Sequence, residues 1–375
     1  MLKYKKLTQN RTSYKICLVT VTLSDGGAER CAATLSHFFV NQGFEVHHLV
    51  FSGKIEYDYS GEVMHLARHV SGSNRIVSRI KRFTILKKYL KEQNFDYVID
   101  FRVKRFFLQE FIIHNYLYKN HIQTIHSNKL DSYISKNKFL ANLLYKNCKQ
   151  LIAVSKGIEE KIKIEYNFKN IHQIYNPIDF EKINEIKLNS IDFEGDFIVA
   201  AGSMNKNVKQ FDHLIECYSK SNLPDKNIKL IILGDGKLKQ DWIDLADRIG
   251  QKENIIFKGN VENPFAYYSK ALFTVLTSKY EGLPMVLIES LACETPVVAY
   301  NCETGPSEII NHLQNGLLVE NQNKEAMIAA INTFNKDKNL YLHCKNNCKT
   351  SISKFEVENI GNQWLSLFKQ LKNER

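Results

Sequence analysis

The feature that most constrains this fold is a regular alternation of short apolar segments with longer amphipathic ones. In the first half, the apolar segments cover residues 15–20, 45–51, 63–66, 96–100, 122–126, 150–154 and 171–175. In the second half, they cover residues 197–202, 229–234, 255–257, 271–277, 297–300 and 316–319. Helical periodicity fills most of the intervals, as at residues 28–40, 74–92 and 238–249. Strands that alternate with helices predict an α/β fold with doubly wound, Rossmann-like parallel sheets.

A polar stretch separates the two series of segments. It begins near Asn176 and runs to Gly195, and it predicts a link between two domains. A length of 375 residues also favours more than one domain. We therefore predict a first domain over residues 1–180, a second over residues 181–355 and a C-terminal amphipathic helix within residues 356–375.

The segment from Tyr280 to Glu289 carries the strongest chemical signal. Glu281 follows an apolar strand, and Glu289 lies eight positions later, within a predicted helix. Pro284 suits the start of that helix, since its missing N–H would be unpaired there in any case. The amides of Met285 and Val286 would then form an anion site at the helix N-terminus. A diphosphate bound there would have a carboxylate on each side to accept hydrogen bonds from sugar hydroxyls. The alternative is a surface helix with two solvated carboxylates.

This segment, with Thr295 to Ala299 after it, resembles the retaining GT-B glycosyltransferases of family four, whose signature is Glu-x7-Glu. The resemblance implies two Rossmann-like domains that face a cleft, and a C-terminal helix that crosses back to the N-terminal domain. It implies that Glu281 contacts the donor sugar and Glu289 the ribose. Gly282, Leu283, Met285 and Val286 would line the donor site. The substrate would be a nucleotide sugar, UDP-linked by our prediction, with no cofactor and no metal.

A second phosphate-binding loop is predicted at residues 202–212. Lys209 matches the family's lysine that neutralises the leaving diphosphate, whereas Ser203 stands where the family usually has an arginine. Lys206 is the candidate for the missing charge; alternatively, amides alone hold that phosphate and the enzyme is slow or inactive. Family resemblance also suggests that backbone atoms near Val261 contact the nucleobase. We interpret the segment 234–236 as a structural turn and the segment 305–308, which opens a helix, as structural.

The first domain contains two further candidates. Gly26, Gly27 and Arg30 lie between the first strand and the first helix, where glycines allow close approach of a ligand and the helix N-terminus attracts phosphate. The segment resembles the Gly-Gly-Ala-Glu-Arg loop of family-four enzymes that build cell-surface glycans, so we assign it to the acceptor and, through Gly27, to the donor. His126 ends a strand where several family members place a histidine near the donor's sugar. The alternatives are an ordinary turn and a satisfied surface histidine.

The charge balance predicts an acidic partner. Lysine and arginine number 51 against 40 acidic residues, a net charge of +11. One amphipathic helix concentrates the cations and predicts contact with an anionic membrane surface. Its cations are Arg75, Arg79, Lys81, Arg82, Lys87, Lys88 and Lys91. The alternative is that its apolar stripe packs on the sheet while the cations face water. Nucleic acid is not expected, because no nucleic-acid-binding motif accompanies the charge.

The remaining features predict a cytoplasmic protein that is peripheral on the inner face of the cell membrane. The basic N-terminus, Met1 to Lys6, lacks the apolar core of a signal peptide, and no apolar run of 18 residues exists. Eight scattered cysteines without a Cys-x-x-Cys pair fit a reducing compartment.

The predicted activity is transfer of a sugar to a lipid-carried or cell-surface glycan, such as lipopolysaccharide, capsule or a lipid-linked oligosaccharide. A nucleotide-sugar epimerase of the same fold and a catalytically inactive glycan-binding scaffold remain as alternatives.

Overall fold

The computed structural model describes residues 13–24, 26–69 and 75–373 of the chain, which divides into two compact units. The first unit comprises Met1–Ala153, Ile162–Ile174 and Gly361–Arg375, and the second comprises Val154–Lys161 and Tyr175–Ile360. The basic N-terminus, Met1 to Lys6, lies outside the described residues.

The first unit is built around a parallel sheet of seven strands in the order β3-β2-β1-β4-β5-β6-β7. The strands are β1 (Lys15–Thr20), β2 (Glu45–Val50), β3 (Glu62–His65), β4 (Tyr97–Asp100), β5 (His121–Ile125), β6 (Gln150–Ala153) and β7 (Ile171–Gln173). The helices are α1 (Gly27–Asn41), α2 (Arg75–Gln93), α3 (Phe107–Ile112) and α4 (Lys138–Leu144); α5 (Lys156–Tyr166) begins in the second unit and ends in the first. A π-helical turn at Ile113–Leu117 follows α3. The order outward from β1 is that of a doubly wound fold, as predicted.

The second unit is built around a parallel sheet of six strands in the order β10-β9-β8-β11-β12-β13. The strands are β8 (Phe197–Ala201), β9 (Lys229–Leu233), β10 (Ile255–Gly259), β11 (Thr274–Leu276), β12 (Val297–Tyr300) and β13 (Gly316–Val319). The helices before β11 are α6 (Phe180–Ile186), α7 (Phe211–Lys220), α8 (Lys239–Arg248) and α9 (Pro264–Lys270). Those after it are α10 (Met285–Ala292), α11 (Pro306–Ile309), α12 (Lys324–Lys336), α13 (Lys338–Ser351) and α14 (Val357–Asn373).

The C-terminal part of α14 belongs to the first unit, as the predicted fold requires. The ring of Phe368 stacks on that of Tyr97 from β4, with centroids 4.8 Å apart. Trp364 meets Phe39 of α1 edge-on at 6.5 Å. The amphipathic spacing of these aromatic residues therefore covers the core of the first sheet.

The predicted link between the domains contains a helix that was not identified in the sequence. Residues 180–186 form α6, and Asp179 caps this helix by accepting a hydrogen bond from the Lys182 amide at 2.9 Å. Phe180 and Ile183 are buried. The polar composition of the stretch concealed a short helix with only two buried apolar residues.

The cysteines are core residues rather than ligands or crosslinks. All eight are free and buried. Burial raises the pKa of the Cys217 thiol to about 11, which keeps it protonated at neutral pH. Buried free cysteines of this kind behave as small apolar core residues.

Candidate functional site

Lys209 and Glu281 form the centre of the candidate site in the second unit. The Lys209 ammonium donates a hydrogen bond to Glu281 Oε1 at 2.6 Å. Both side chains are largely buried, with 18% and 12% of their surface exposed. They lie 72 positions apart in the chain, after β8 and after β11. The carboxyl ends of neighbouring parallel strands meet at one edge of a sheet, where open α/β sheets bind ligands.

The loop that carries Glu281 is held by the segment before α11. The Thr304 hydroxyl donates to the Glu281 carbonyl oxygen at 2.5 Å. Gly305 has a φ of +96°, and a Cβ there would lie 2.5 Å from Pro284 Cδ. Glycine is therefore required at this contact. Glu308 accepts hydrogen bonds from the amides of Lys156 and Gly157, so the predicted structural role of segment 305–308 is confirmed.

The N-terminus of α10 begins directly after this loop. Pro284 is its N-cap residue, and no side chain caps the helix in the described part of the chain. The amides of Met285 and Val286 belong to the first turn, whose N–H groups have no partner within a helix. Such a terminus attracts anions through its amides and its dipole.

Glu289 is the fifth residue of α10, and only 6% of its surface is exposed. Leu287, Ile288 and Leu291 beside it are fully buried. The alternative of a surface helix with two solvated carboxylates is therefore wrong. The assignment of Glu289 to a ribose stays a prediction, as do the donor contacts of Gly282, Leu283, Met285 and Val286.

The loop after β8 is packed tightly against the turn after β9. A Cβ on Gly234, whose φ is +121°, would lie 2.1 Å from the Gly202 carbonyl oxygen. The Met204 amide donates to the Asp235 carbonyl oxygen at 2.9 Å. The predicted structural role of the turn at residues 234–236 is thereby confirmed. The Gly234 amide also donates to the Gly259 carbonyl oxygen at 2.7 Å, which brings the loop leading to Val261 alongside.

Ser203 and Lys206 are both exposed on this loop. The Ser203 hydroxyl accepts a hydrogen bond from the Asn205 side chain at 3.2 Å. Ser203 therefore carries no positive charge to the place where the family has its arginine. The use of Lys206 as a substitute cation stays a prediction.

In the first unit, Gly26 and Gly27 lie where expected, at the start of α1. Gly26 is the N-cap residue with a φ of +108°. The Arg30 guanidinium lies over the ring of Tyr57, 5.1 Å from its centroid. Tyr57 comes from the segment between β2 and β3 and was not singled out in the sequence. Aromatic rings and guanidinium groups attract each other in this arrangement.

His126 follows β5 directly. Its Nε2 lies 2.9 Å from the Thr124 hydroxyl oxygen, and its Nδ1 is buried without a hydrogen-bond partner among the described residues. Burial lowers the pKa of His126 to about 3, so the ring is neutral at physiological pH. The predicted contact of His126 with the donor sugar stays a prediction.

The sequence interpretation missed a buried polar cluster in the first unit. Arg102 donates two hydrogen bonds to Asp100 Oδ2, at 2.6 and 3.2 Å, and one to Glu110 Oε2 at 3.1 Å. The Tyr118 hydroxyl also donates to Asp100 at 3.2 Å. Burial tends to lower the pKa of Arg102, but the Asp100 carboxylate raises it well above its usual value. The one signal in the sequence was an aspartate at the end of an apolar strand.

Two histidines adjoin this cluster without making it a metal centre. One ligand atom from each of Asp100, His114 and His121 lies within 4.8 Å of the others. However, Arg102 and Tyr118 already occupy the Asp100 carboxylate, and a second cation beside the guanidinium would be repelled. Burial lowers the pKa of both histidines, to about 4 for His121, so they are neutral. The cluster is therefore an ion-pair network that supports the sheet.

The basic helix α2 packs on the sheet through residues of its C-terminal half. Leu86 and Leu90 are buried in the core, whereas Ile80 is 62% exposed. The cations from Arg79 to Lys91 are exposed, and Arg79 lies over the ring of Phe106, itself 57% exposed. The expected inward apolar stripe is thus incomplete. In the part of the chain that the structure describes, no helix is long and apolar enough to cross a membrane.

Two parallel, doubly wound units with a carboxylate and a lysine at the edge of the second sheet define a GT-B type of protein. Two family models match the chain: Glycosyltransferase Family 4 over residues 25–182, and Glycosyl transferases group 1 over residues 182–351.

Two curated relatives come from Campylobacter jejuni. The GalNAc-alpha-(1->4)-GalNAc-alpha-(1->3)-diNAcBac-PP-undecaprenol alpha-1,4-N-acetyl-D-galactosaminyltransferase is 31% identical, covering 96% of this chain and 99% of the relative. The N-acetylgalactosamine-N,N'-diacetylbacillosaminyl-diphospho-undecaprenol 4-alpha-N-acetylgalactosaminyltransferase is 29% identical, covering 92% and 97%. A solved structure of an S. aureus TarM mutant with Fondaparinux, alpha-GlcNAc-glycerol and UDP shares the fold, with a TM-score of 0.76, 16% identity and coverage of 95% and 99%. The chain therefore belongs to the family-four glycosyltransferases of GT-B fold.

Proposed function

We propose that this glycosyltransferase moves a sugar, with retention of anomeric configuration, from a UDP-linked donor to a glycan carried on a lipid. The observation that carries the proposal is the Lys209–Glu281 ion pair beside the uncapped N-terminus of α10. This arrangement brings a cation, backbone amides and a carboxylate to one edge of one sheet. A nucleotide sugar needs all three, for its diphosphate and for its hydroxyl groups.

Lys209 and the amides of Met285 and Val286 stabilise the leaving diphosphate in this proposal. Negative charge builds on the leaving oxygen as the anomeric C–O bond breaks, and preorganised positive groups at that point lower the barrier. Lys206 adds a second charge from the same loop. The reaction needs no metal ion, because the lysines and amides supply the positive charge.

Glu281 and Glu289 orient the donor on either side of the diphosphate. Glu281 accepts hydrogen bonds from the sugar, and Glu289 accepts them from the ribose. The acceptor hydroxyl attacks the anomeric carbon on the face that the diphosphate leaves. Its proton passes to the leaving phosphate oxygen, which keeps the anomeric configuration without a protein nucleophile. Gly26, Gly27 and Arg30 bind the acceptor, and His126 contributes a hydrogen bond to a sugar hydroxyl.

The names of the relatives support the proposed acceptor class. Both Campylobacter proteins are named for undecaprenol-linked acceptors, and they match nearly the whole of this chain. We therefore assign a lipid-linked oligosaccharide as the acceptor. UDP as the nucleotide is supported by its presence in the TarM structure.

A lipid-carried acceptor supports a location at a membrane surface, on the cytoplasmic face in our proposal. The exposed cations of α2 meet anionic headgroups, and each contributes about 1 kcal/mol near such a surface. Ile80 and Phe106, which the protein core leaves exposed beside these cations, enter the headgroup layer.

A nucleotide-sugar screen followed by product analysis tests the proposal. A donor present at 100 times its Kd should stabilise the fold by about 2.7 kcal/mol, which a thermal melt detects. With a lipid-linked acceptor, NMR of the product should show the anomeric configuration of the donor. Inversion, or a requirement for a divalent cation, would contradict the mechanism.

The two alternatives give different outcomes in the same experiment. Conversion of the donor sugar to its epimer without an acceptor would identify an epimerase. Binding of nucleotide sugars without hydrolysis or transfer would identify an inactive scaffold and would point to Ser203 as the cause.

A further inference from the structure

The residue after Lys209 has an unusual backbone conformation. Gln210 has φ 48° and ψ 52°, the left-handed region that residues with a Cβ avoid. It is buried and stands at the N-cap position of α7, where it makes no capping hydrogen bond through its side chain. The chain therefore bends sharply immediately after the lysine that is paired with Glu281.

The side-chain amide of Gln210 instead makes hydrogen bonds with two other side chains. Its Nε2 donates to Gln322 Oε1 at 3.0 Å, and Gln322 Nε2 donates back to Gln210 Oε1 at 2.8 Å. The second N–H of Gln210 points to His213 Nε2 at 3.3 Å. Gln322, in the loop after β13, is left-handed as well, with φ 64°. We call the two reciprocal hydrogen bonds between Gln210 and Gln322 the amide pair.

A hydroxyl group holds the backbone of the same bend from the other side. Thr277 is buried directly after β11. Its hydroxyl lies within hydrogen-bond distance of two carbonyl oxygens, 2.9 Å from that of Lys209 and 3.0 Å from that of Gln210. The Lys209 stem then runs across Gly202, where a Cβ would lie 2.8 Å from its Cγ and Cε. Three contacts thus fix the direction of the lysine: the amide pair, the Thr277 hydroxyl and the Gly202 surface.

We propose that Gln210 is a positioning residue for the transfer reaction: the amide pair holds the left-handed turn that aims Lys209 at the leaving diphosphate. This inference rests on the proposed function of Lys209. The strained backbone is retained because the surrounding hydrogen bonds determine it, and such strain concentrates at functional sites.

Glycine provides the discriminating variant. Gln210→Gly removes the amide pair but accepts the left-handed conformation freely, whereas Gln210→Ala removes the pair and disfavours that conformation. We expect Gln210→Ala to lower kcat about tenfold or more, with a smaller change in donor KM, since misplacing a catalytic group costs up to about 100-fold. Gln210→Gly should stay within about threefold of the wild type. Equal loss in both variants would overturn the backbone role, and so would full activity of Gln210→Ala.

A double-mutant cycle with Lys209 separates positioning from general stability. In a Lys209→Ala background, Gln210→Ala should lower kcat no further, because its effect acts through the lysine. An equal effect in both backgrounds would show a merely structural role and overturn the proposal.

Asn227→Ala is the matched control, since Asn227 is left-handed with φ 56° in the same unit. It should lower thermal stability without changing kcat. Full activity of Lys209→Ala would contradict the proposed function of Lys209. Full activity of Gln210→Ala alone, with Lys209→Ala inactive, would contradict only the positioning role of Gln210.

Discussion

At the scale of single residues, Lys209 is the group on which the chemistry most depends. Replacing it with alanine should lower kcat by about 100- to 1000-fold, as expected for loss of one donor to a developing oxyanion. Lys324→Ala is the matched control, because Lys324 forms an equally short ion pair, 2.6 Å from Glu216, in the same unit. Steady-state kinetics of both variants with the same donor check the prediction. Retention of most activity by Lys209→Ala would show that Lys209 does not stabilise the leaving diphosphate.

Alanine variants of Glu281 and Glu289 should differ in their effects, because the two carboxylates contact different parts of the donor. Glu281→Ala should depress turnover more than nucleotide affinity, because Glu281 contacts the sugar. Glu289→Ala should weaken binding of free UDP, because Glu289 contacts the ribose. Calorimetric titration with UDP and steady-state kinetics measure the two effects. If both variants bound UDP as the wild type does, the ribose assignment would be wrong.

At the scale of elements, α2 and its exposed apolar neighbours should bind anionic membranes. Changing Lys81, Arg82, Lys87 and Lys88 to glutamine should release the protein from anionic liposomes. Binding of the wild type should weaken with salt, because exposed charges are screened over about 8 Å at physiological ionic strength. Donor hydrolysis should continue, while transfer to a lipid-carried acceptor falls.

The second unit offers a control with the same change in net charge. Lys220, Lys226, Lys237 and Lys252 are exposed there, and their replacement by glutamine should leave liposome binding intact. Sedimentation with liposomes compares the two quadruple variants. Equal binding by both would show that the cations of α2 are only a solvated face. Ile80→Ser should reduce the part of the binding that persists at high salt.

The strands and the Glu281 region were predictable from the sequence because their signals are local. The apolar runs of β1, β8 and β12 end within a residue or so of the predicted bounds. α6 was missed because its sequence is polar, and α3 with its π-helical turn because it lies among aromatic and charged residues without a clear period. Contacts between distant positions, such as Gln210 with Gln322, leave no pattern of spacing. The sequence could therefore show Lys209 but not the turn that aims it.

At the scale of the whole molecule, the two units differ in how they should respond to acid. Burial lowers the pKa of His48 and His121 to about 4 and that of His126 to about 3, all in the first unit. In the second unit, no histidine of the described chain is fully buried. Histidines that stay neutral when folded but gain a proton when unfolded make stability depend on pH.

The direction and size of this effect follow from the two pKa values of each histidine. Well above pH 6.5 each ring is neutral in both states, so protonation of the unfolded chain does not oppose folding there. As the pH falls toward 4, only the unfolded chain gains protons, and the fold loses stability. At pH 5 each of the three histidines costs about 2 kcal/mol, a total of about 6 kcal/mol, which approaches the whole stability of a typical domain.

The first unit should therefore open before the second between pH 6.5 and pH 4. Hydrogen exchange read by mass spectrometry resolves the two units in one sample: peptides from β1, β4 and β5 should lose protection before those from β8, β9 and β12. His48→Gln is the informative variant, because it removes one titrating ring and should flatten the pH dependence of the first unit. Its stability at pH 7 is expected to fall, so the slope with pH is the quantity to compare. Simultaneous opening of both units, or a slope unchanged by the substitution, would show that the buried histidines do not set the acid limit of this protein.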